Sequence, residues 1–130
     1  MTANKICIDA SFAAKLLGLA DLEITNKSWE LIKGYSLVAP ELIKYEVGNI
    51  LLKYPSREID RIIETFSLLD INFINIHELS YIYKMAEHYR ISFYDAAYVA
   101  VVLQDSSVQK MYTFDQDFGK IGNEKIVVLS

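Results

Sequence analysis

Four acidic residues lie in apolar surroundings: Asp9, Glu46, Asp95 and Asp115. Asp9 and Asp115 each follow a short apolar run, whereas the other two interrupt apolar helical patterns. Crowded carboxylates raise one another's pKa, and a hard divalent cation such as Mg²⁺ relieves this repulsion because it prefers oxygen ligands. Such ions keep several waters, and two of them about 3.5–4 Å apart stabilise the attacking and leaving oxygens of phosphodiester cleavage. If the four side chains meet, metal-assisted phosphodiester cleavage is the chemistry that they suit.

Each acid also has a purely structural interpretation. Asp9 can cap the helix that follows it, and Asp115 and Asp117 suit the N-terminus of a short helix, where negative charge is stabilising. Glu46 can reach solvent from the edge of its apolar stripe. Residues 92–95 (SFYD) match a capping box, which explains the first turn of a helix but not why so apolar a helix keeps an anion. Both interpretations stay open for each acid taken singly.

Strand and helix signals alternate along the chain. Predicted strands cover residues 5–9, 36–39, 71–76, 111–114 and 125–129. Predicted helices cover residues 11–17, 25–33, 41–53, 59–69, 77–89 and 92–103, with a short one from Asp115 onward. The signals at their ends are Gly18 and Gly34 after the first two helices, Pro40 in the first turn of the third, Pro55 after it and Ser56 as the next cap.

This alternation predicts an α/β fold, because parallel strands need long crossover connections that cover both faces of a sheet. With right-handed crossovers, the expected architecture is a three-layer α/β/α sandwich with a central parallel sheet. Ligand sites in such sheets form beyond the carboxyl ends of the strands, where the strand order reverses. Asp9 and Asp115 leave two strands, and Glu46 and Asp95 can approach from flanking helices. We therefore expect the four acids to meet.

Length and composition narrow the class of protein. A chain of 130 residues, 52% hydrophobic and 23% charged, predicts a single folded domain over residues 1–130 and excludes a disordered chain. The net charge of −4 argues against a broad basic face for duplex DNA. Cys7 has no second cysteine to pair with, and no apolar run suits a signal peptide or a membrane span. We expect a soluble, cytoplasmic protein that does not contact a membrane.

No other set of residues offers a competing chemistry. His77 and His88 lack zinc-like spacing with Cys7. The chain has no glycine-rich phosphate loop, and no Ser or Cys lies in a nucleophile elbow. We therefore expect both histidines to be ordinary surface or core residues.

Four short motifs carry a resemblance to a known family. They are residues 8–11 (IDAS), 45–49 (YEVGN), 92–100 (SFYDAAYVA) and 113–118 (TFDQDF). In this order and spacing they resemble PIN-domain ribonucleases, in particular VapC-type toxins of toxin–antitoxin pairs. The motifs extend over nearly the whole chain. Gly48 departs from the small apolar residue usual at its position, which we expect to affect packing only.

The resemblance implies a sheet in the order 3-2-1-4-5 and Mg²⁺- or Mn²⁺-dependent endonuclease activity on RNA. It also implies a homodimer and a cognate antitoxin protein. Carried over by position, the metal-binding and catalytic quartet is Asp9, Glu46, Asp95 and Asp115, with Asp117 as a fifth metal ligand. The polar residues that would orient ligands or waters are Ser11, Asn49 and Thr113.

Binding an RNA backbone requires cations outside the acidic cleft. The candidates are Lys44 and Lys53 on the third predicted helix and Arg57 and Arg61, one turn apart, on the fourth. The structural alternative for each of them is an ordinary solvated face.

Three rival functions can be compared with the sequence. A receiver-like phosphoacceptor domain needs paired acids after the first strand and an acceptor Asp after the third, where this chain has Asp9-Ala10 and His77. A haloacid-dehalogenase-like phosphatase needs a second Asp at the position of Ser11. A catalytically silent PIN-fold binding module remains the alternative, against which the complete quartet argues.

Overall fold

Five short strands form the centre of the computed structural model, which describes residues 4–54, 57–76 and 78–130 of the chain. Within these residues the strands are β1 (Lys5–Ile8), β2 (Ser36–Pro40), β3 (Asn72–Ile74), β4 (Val108–Thr113) and β5 (Ile126–Val128). They lie in the order β3-β2-β1-β4-β5, and every neighbouring pair is parallel. The predicted parallel α/β fold is confirmed, and so is the strand order that the resemblance implied.

Helices connect these strands and cover the sheet. They are α1 (Ala10–Leu16), α2 (Leu22–Ile32), α3 (Ile43–Leu52), α4 (Ile59–Leu68), α5 (Leu79–Tyr89) and α6 (Phe93–Gln104), with a 3₁₀ helix at Gln116–Ile121. None of these described helices is long and apolar enough to cross a membrane. The chain crosses the sheet from β1 to β3 in one direction and returns to β4 and β5 in the other. Because the crossovers are right-handed, α1 to α4 lie on one face and α5 and α6 on the other.

Helix α6 lies against the middle of the sheet. Its residues 96–102 are all buried, and it packs on β1, β2 and β4. A helix that is surrounded by protein on most sides is apolar on all its faces rather than along one stripe. This burial explains why the sequence of α6 is so apolar. Asp95 lies in its first turn and is half-buried, so the third acid of the quartet is at the border of the core.

The position of Pro40 differs from the prediction, which placed this residue in the first turn of α3. It is the last residue of β2 and pairs with Ile74 of β3, while α3 begins at Ile43. The pairing of β2 with β1 ends two residues earlier, at Val38. The N–H that proline lacks is therefore not needed by β1, and the end of a strand tolerates proline for this reason.

Two further boundaries differ from the prediction. Helix α2 begins at Leu22 rather than Thr25, because the carboxylate of Asp21 accepts a hydrogen bond from the N–H of Ile24 at 3.0 Å and caps the helix there. Strand β4 begins at Val108, three residues before the predicted start at Met111, because its pairing with β1 extends to Val108.

All other boundaries within the described residues lie within two residues of the predicted ones. Gly18 and Gly34 follow the first two helices with φ angles of 82° and 83°, a region that favours glycine. The stop predicted at Pro55, the cap predicted at Ser56 and the helix start predicted at His77 lie outside the described residues.

Ser92 caps α6, and substitution can test this cap. Its hydroxyl accepts a hydrogen bond from the backbone N–H of Asp95 at 3.0 Å. We expect Ser92→Ala to lower the free energy of unfolding by about 1 kcal/mol, because that N–H loses its partner. Ser92→Asn, whose side-chain oxygen can accept the same bond, should stay close to the wild type. Chemical denaturation measures the difference, and equal losses in both variants would contradict the role of the cap.

Candidate active site

Asp9 is held at the carboxyl edge of the sheet by three hydrogen bonds. The pairing of Ile8 with Tyr112 brings the end of β1 next to the end of β4. There the Thr113 hydroxyl donates to Oδ2 of Asp9 at 2.5 Å. The Ser11 hydroxyl, at 2.8 Å, and the backbone N–H of Phe12, at 3.0 Å, donate to Oδ1. Asp9 is therefore the cap of α1 and is also tied to the far end of the chain.

The two hydroxyls that reach Asp9 also accept hydrogen bonds from the backbone after β4. The N–H of Phe114 donates to Ser11 Oγ at 2.9 Å, and the N–H of Asp115 donates to Thr113 Oγ1 at 2.9 Å. Asp115 in turn caps the 3₁₀ helix, since its Oδ1 accepts from the N–H of Asp117 at 3.0 Å. One polar network thus sets the positions of Asp9 and Asp115, which lie where the strand order reverses.

Glu46 is hydrogen-bonded to a buried tyrosine of the opposite helical layer. The Tyr98 hydroxyl of α6 donates to Oε1 of Glu46 in α3 at 2.5 Å. Tyr98 is 1% exposed, and its ring meets that of Phe118 edge-on with centroids 6.4 Å apart. A buried hydroxyl without an acceptor costs roughly 1–3 kcal/mol, so this bond favours an inward rotamer of Glu46. Glu46 therefore does not extend freely from its stripe into solvent.

Burial and the charges of neighbouring acids raise the pKa values of Asp9 and Glu46. Burial is the largest cause for Asp9, whose pKa rises even though its three hydrogen bonds favour ionisation, and the charge of Asp115 adds to the rise. Burial likewise raises the pKa of Glu46 against the hydrogen bond from Tyr98. The charges of the other three acids raise it further. Glu46 is thus close enough to each of the other three acids for their charges to act on it.

Asp95 faces the same negative surroundings. Its pKa is raised by burial first and then by the charges of Asp115 and Asp117. A hydrogen bond with Ser92 and the positive charge of Lys120 act in the opposite direction. The cap of α6 therefore offsets only part of what destabilises the ionised form.

No ion pair compensates the four acids in the part of the chain that the structure describes. The ion pairs there join partners at the surface: Lys5 with Asp105, Lys27 with Glu23, Lys44 with Glu41, and Arg61 with Glu58. An uncompensated group of carboxylates favours binding of a cation, because a cation stabilises their ionised forms.

The donor set suits a hard divalent cation, although it is not a closed cage. Within the described ranges, no three His, Cys, Asp or Glu side chains come together as a ready metal site. Mg²⁺ is usually held by one or two carboxylates, several waters and substrate phosphates rather than by protein ligands alone. Oxygen-only donors that repel one another without enclosing a cavity fit this kind of binding.

A family model described as PIN domain matches residues 6–124. The chain belongs to the PIN domain family. The matched range contains all four acids, and the resemblance seen in the sequence motifs is thereby confirmed. A search of curated proteins found no match.

Two solved structures share the fold of this PIN domain. PAE2754 from Pyrobaculum aerophilum has a TM-score of 0.66 and 22% identity, and the match covers 91% of this chain and 80% of that one. VapC20 from Mycobacterium tuberculosis, a toxin that cleaves the sarcin-ricin loop, has a TM-score of 0.67 and 19% identity. That match covers 92% of this chain and 97% of the VapC20 chain. At these identities the likeness is one of fold.

Of the three supporting polar residues, two contact the acids and one does not. Ser11 and Thr113 contact Asp9 directly. Asn49 is exposed and forms no hydrogen bond with any of the acids among the described residues. It lies one turn after Glu46 and lines the neighbouring groove between α3 and α4 instead.

The four cations predicted to contact RNA are not part of the acidic cluster. Lys44 lies over the ring of Phe73, 4.4 Å from its centroid, and pairs with Glu41, just before α3, at 3.5 Å. Arg61 also pairs locally, at 2.9 Å. All four of these side chains, including those of Lys53 and Arg57, are exposed.

Two residues near the acids had no role in the sequence prediction. Tyr98 bonds to Glu46, and Lys120 is close enough to Asp95 to lower its pKa. The available signal for Tyr98 was its position one helical turn after Asp95, with a hydroxyl inside an otherwise apolar helix. Lys120 had no such signal, because its position depends on how the 3₁₀ helix packs.

The groove between α3 and α4 has a volume of about 890 Å³ and is lined mainly by apolar side chains. None of the four acids lines it. The acids lie at the carboxyl edge of the sheet, where Glu46, Asp95 and Asp115 are partly exposed. An open edge of this kind admits a polymer, whereas an enclosed pocket would not.

The raised pKa of Asp95 predicts how stability depends on pH without metal. Its carboxyl binds a proton more readily in the folded than in the unfolded chain, so ionisation destabilises the fold as the pH rises through the raised pKa. We expect Asp95→Asn to be more stable than the wild type at pH 7 in EDTA. The gain should vanish below about pH 3, where the wild-type carboxyl is protonated in both states. Chemical denaturation across this range measures it.

Asp105→Asn is the matched control, because the pKa of Asp105 is lowered, chiefly by its hydrogen bond with Ser107. Its ionised form stabilises the fold above the ordinary aspartate pKa, so this variant should be less stable than the wild type at pH 7. The same sign of change in both variants would refute the repulsion at Asp95.

Proposed function

We propose that this PIN domain is an endoribonuclease that cleaves RNA phosphodiester bonds with Mg²⁺ or Mn²⁺. The observation that carries the proposal is the repulsion among the four carboxylates, seen most fully at Glu46, whose pKa is raised first by burial and then by each of the other three acids. No basic side chain of the described ranges forms an ion pair with them. Titratable groups perturbed in this way cluster at functional sites, where the cost in stability is retained for chemistry.

Each acid has a proposed part in the reaction. Asp9, Asp95 and Asp115 would hold the cation, with Asp117 as a further ligand. Glu46 would complete the coordination or orient the attacking water. When bound, a divalent cation neutralises the cluster and polarises the phosphodiester and the water. The hydrogen bonds of Asp9 support this assignment, because they fix the carboxylate before any ligand arrives.

We propose single-stranded or looped RNA as the substrate. The family resemblance supports RNA, and VapC20, which shares the fold, cleaves the sarcin-ricin loop. The cations proposed to contact the phosphates are Lys44, Lys53, Arg57 and Arg61. We add Lys120 to them because its positive charge acts on Asp95. A few such contacts, rather than a broad basic face, agree with the net charge of −4.

We also propose that the protein is the toxin of a toxin–antitoxin pair, acting in the cytoplasm as a homodimer. An antitoxin segment that bears Arg or Lys would pair with the clustered carboxylates and displace the cation. A guanidinium suits this role because it binds a carboxylate through two parallel hydrogen bonds. The likeness of fold to a toxin supports the proposal.

Cleavage should require both metal and the acidic cluster. We expect the purified protein to cut single-stranded RNA with Mg²⁺ or Mn²⁺, and EDTA to abolish the cutting. Asp115→Asn should lower the rate by about 100-fold or more, because metal assistance contributes several kcal/mol and each 1.36 kcal/mol is tenfold. Product yields on a panel of structured RNAs measure this.

Asp21→Asn controls for helix capping in that assay. Asp21 caps α2 as Asp115 caps the 3₁₀ helix, but it is exposed and is not among the charges that act on the cluster. Asn caps a helix about as well as Asp, so this variant should cut RNA like the wild type. Full cleavage by Asp115→Asn, or cleavage undiminished by EDTA, would disprove the metal-dependent nuclease.

Assembly can be measured without RNA. We expect light scattering at micromolar concentration to give twice the chain mass of 14.9 kDa. The protein encoded by an adjacent small reading frame should bind and inhibit cleavage, and an Arg or Lys of that protein should contact the acids in the complex. A monomer would count against the dimer, and an inhibited complex whose acids stay uncovered would count against displacement of the cation.

A further inference from the structure

Tyr98 carries an inference that deepens the proposed function and rests on it. We propose that Tyr98 is a positioning residue of the acidic site. Its hydroxyl holds Oε1 of Glu46 at 2.5 Å and so keeps Oε2, which accepts no hydrogen bond from the described residues, available to a cation or a water.

The need for such a residue follows from the charges around Glu46. A glutamate side chain has several staggered rotamers, and three neighbouring carboxylates repel the inward ones. Glu46 lies in the first turn of α3. The preceding residue, Tyr45, is 72% exposed, so the side chain of Glu46 can reach solvent. Without an attractive contact, outward rotamers of Glu46 would be favoured.

Tyr98 is suited to supply that contact because the core fixes it in place. Its ring is buried, packs edge-on against Phe118 and belongs to the helix that lies on the centre of the sheet. A buried phenol needs a partner for its O–H, and among the described residues that partner is Glu46. The position of the hydroxyl is thus set by packing, and the position of the carboxylate follows from it.

Four variants separate positioning from a merely structural role: Tyr98→Phe, Glu46→Ala, the double variant, and Tyr112→Phe as a control. Tyr98→Phe removes one oxygen and keeps the ring. Tyr112 stacks on Phe12 and its hydroxyl forms no hydrogen bond with the described residues, so its variant controls for loss of a tyrosine oxygen.

The first measurement is unfolding in EDTA, which tests the hydrogen bond without metal or RNA. We expect the effects of Tyr98→Phe and Glu46→Ala to be non-additive, with the double variant more stable than Glu46→Ala alone, because it no longer buries an unpaired hydroxyl. Additive effects would overturn the proposal.

The second measurement is the affinity for Mn²⁺, by electron paramagnetic resonance without RNA. We expect Tyr98→Phe to bind Mn²⁺ about tenfold more weakly, the usual effect of losing a group that orients a ligand. In the Glu46→Ala background the same substitution should have no further effect, and Tyr112→Phe should match the wild type. Unchanged affinity in Tyr98→Phe, an equal loss in the Glu46→Ala background, or no binding by the wild type would each overturn the proposal.

RNA cleavage by the same proteins distinguishes this proposal from the proposed function. A wild type that binds Mn²⁺ but cuts no RNA would refute the nuclease, while the Mn²⁺ affinities would still decide the role of Tyr98. Cleavage by the wild type with unchanged Mn²⁺ affinity in Tyr98→Phe would leave the nuclease standing and refute the positioning.

Discussion

The buried carboxylate of Asp9 is the constraint on which the site depends. Asp9 is 4% exposed, and a charge removed from water is tolerated only where donors or a cation stabilise it. The donors come from α1 and from Thr113, 104 residues later in the chain. Satisfying one charge therefore joins the first helix to the fourth strand. The same hydroxyls then accept backbone N–H groups after β4, which places Asp115 beside Asp9.

Helix capping and site formation are compatible in this arrangement. Asp9 and Asp115 both cap the helices that follow them, and both act on the charge of Glu46. A carboxylate at the end of a parallel strand and the start of a helix meets free N–H groups and also lies at the edge where ligands bind. The N-terminus of a helix stabilises the single carboxylate that caps it. The crowding of several carboxylates leaves an excess of negative charge, which a cation would neutralise.

The two helical layers meet at this edge through side chains rather than through the sheet. Tyr98 reaches from α6 to Glu46 in α3, and Lys120 reaches the surroundings of Asp95 from the 3₁₀ helix. The acids contributed by helices thus depend on packing across both faces, whereas the acids that follow strands depend on strand pairing. Such a site carries repulsion that the rest of the fold must offset.

Local residue types determined much of this protein. Apolar periodicity, with glycine after two helices, specified the strands and helices to within a few residues, because these signals act over one or two turns of chain. Asp9 and Asp115 could be placed at one edge because each ends a buried strand. Tertiary structure decided the rest. Pro40 ends β2 instead of starting α3, because β1 no longer needs its N–H. Tyr98 and Asn49 each lie one helical turn after an acid, but only Tyr98 contacts one of the acids. That contact joins residues 52 positions apart, so it depends on how α3 and α6 pack around the sheet.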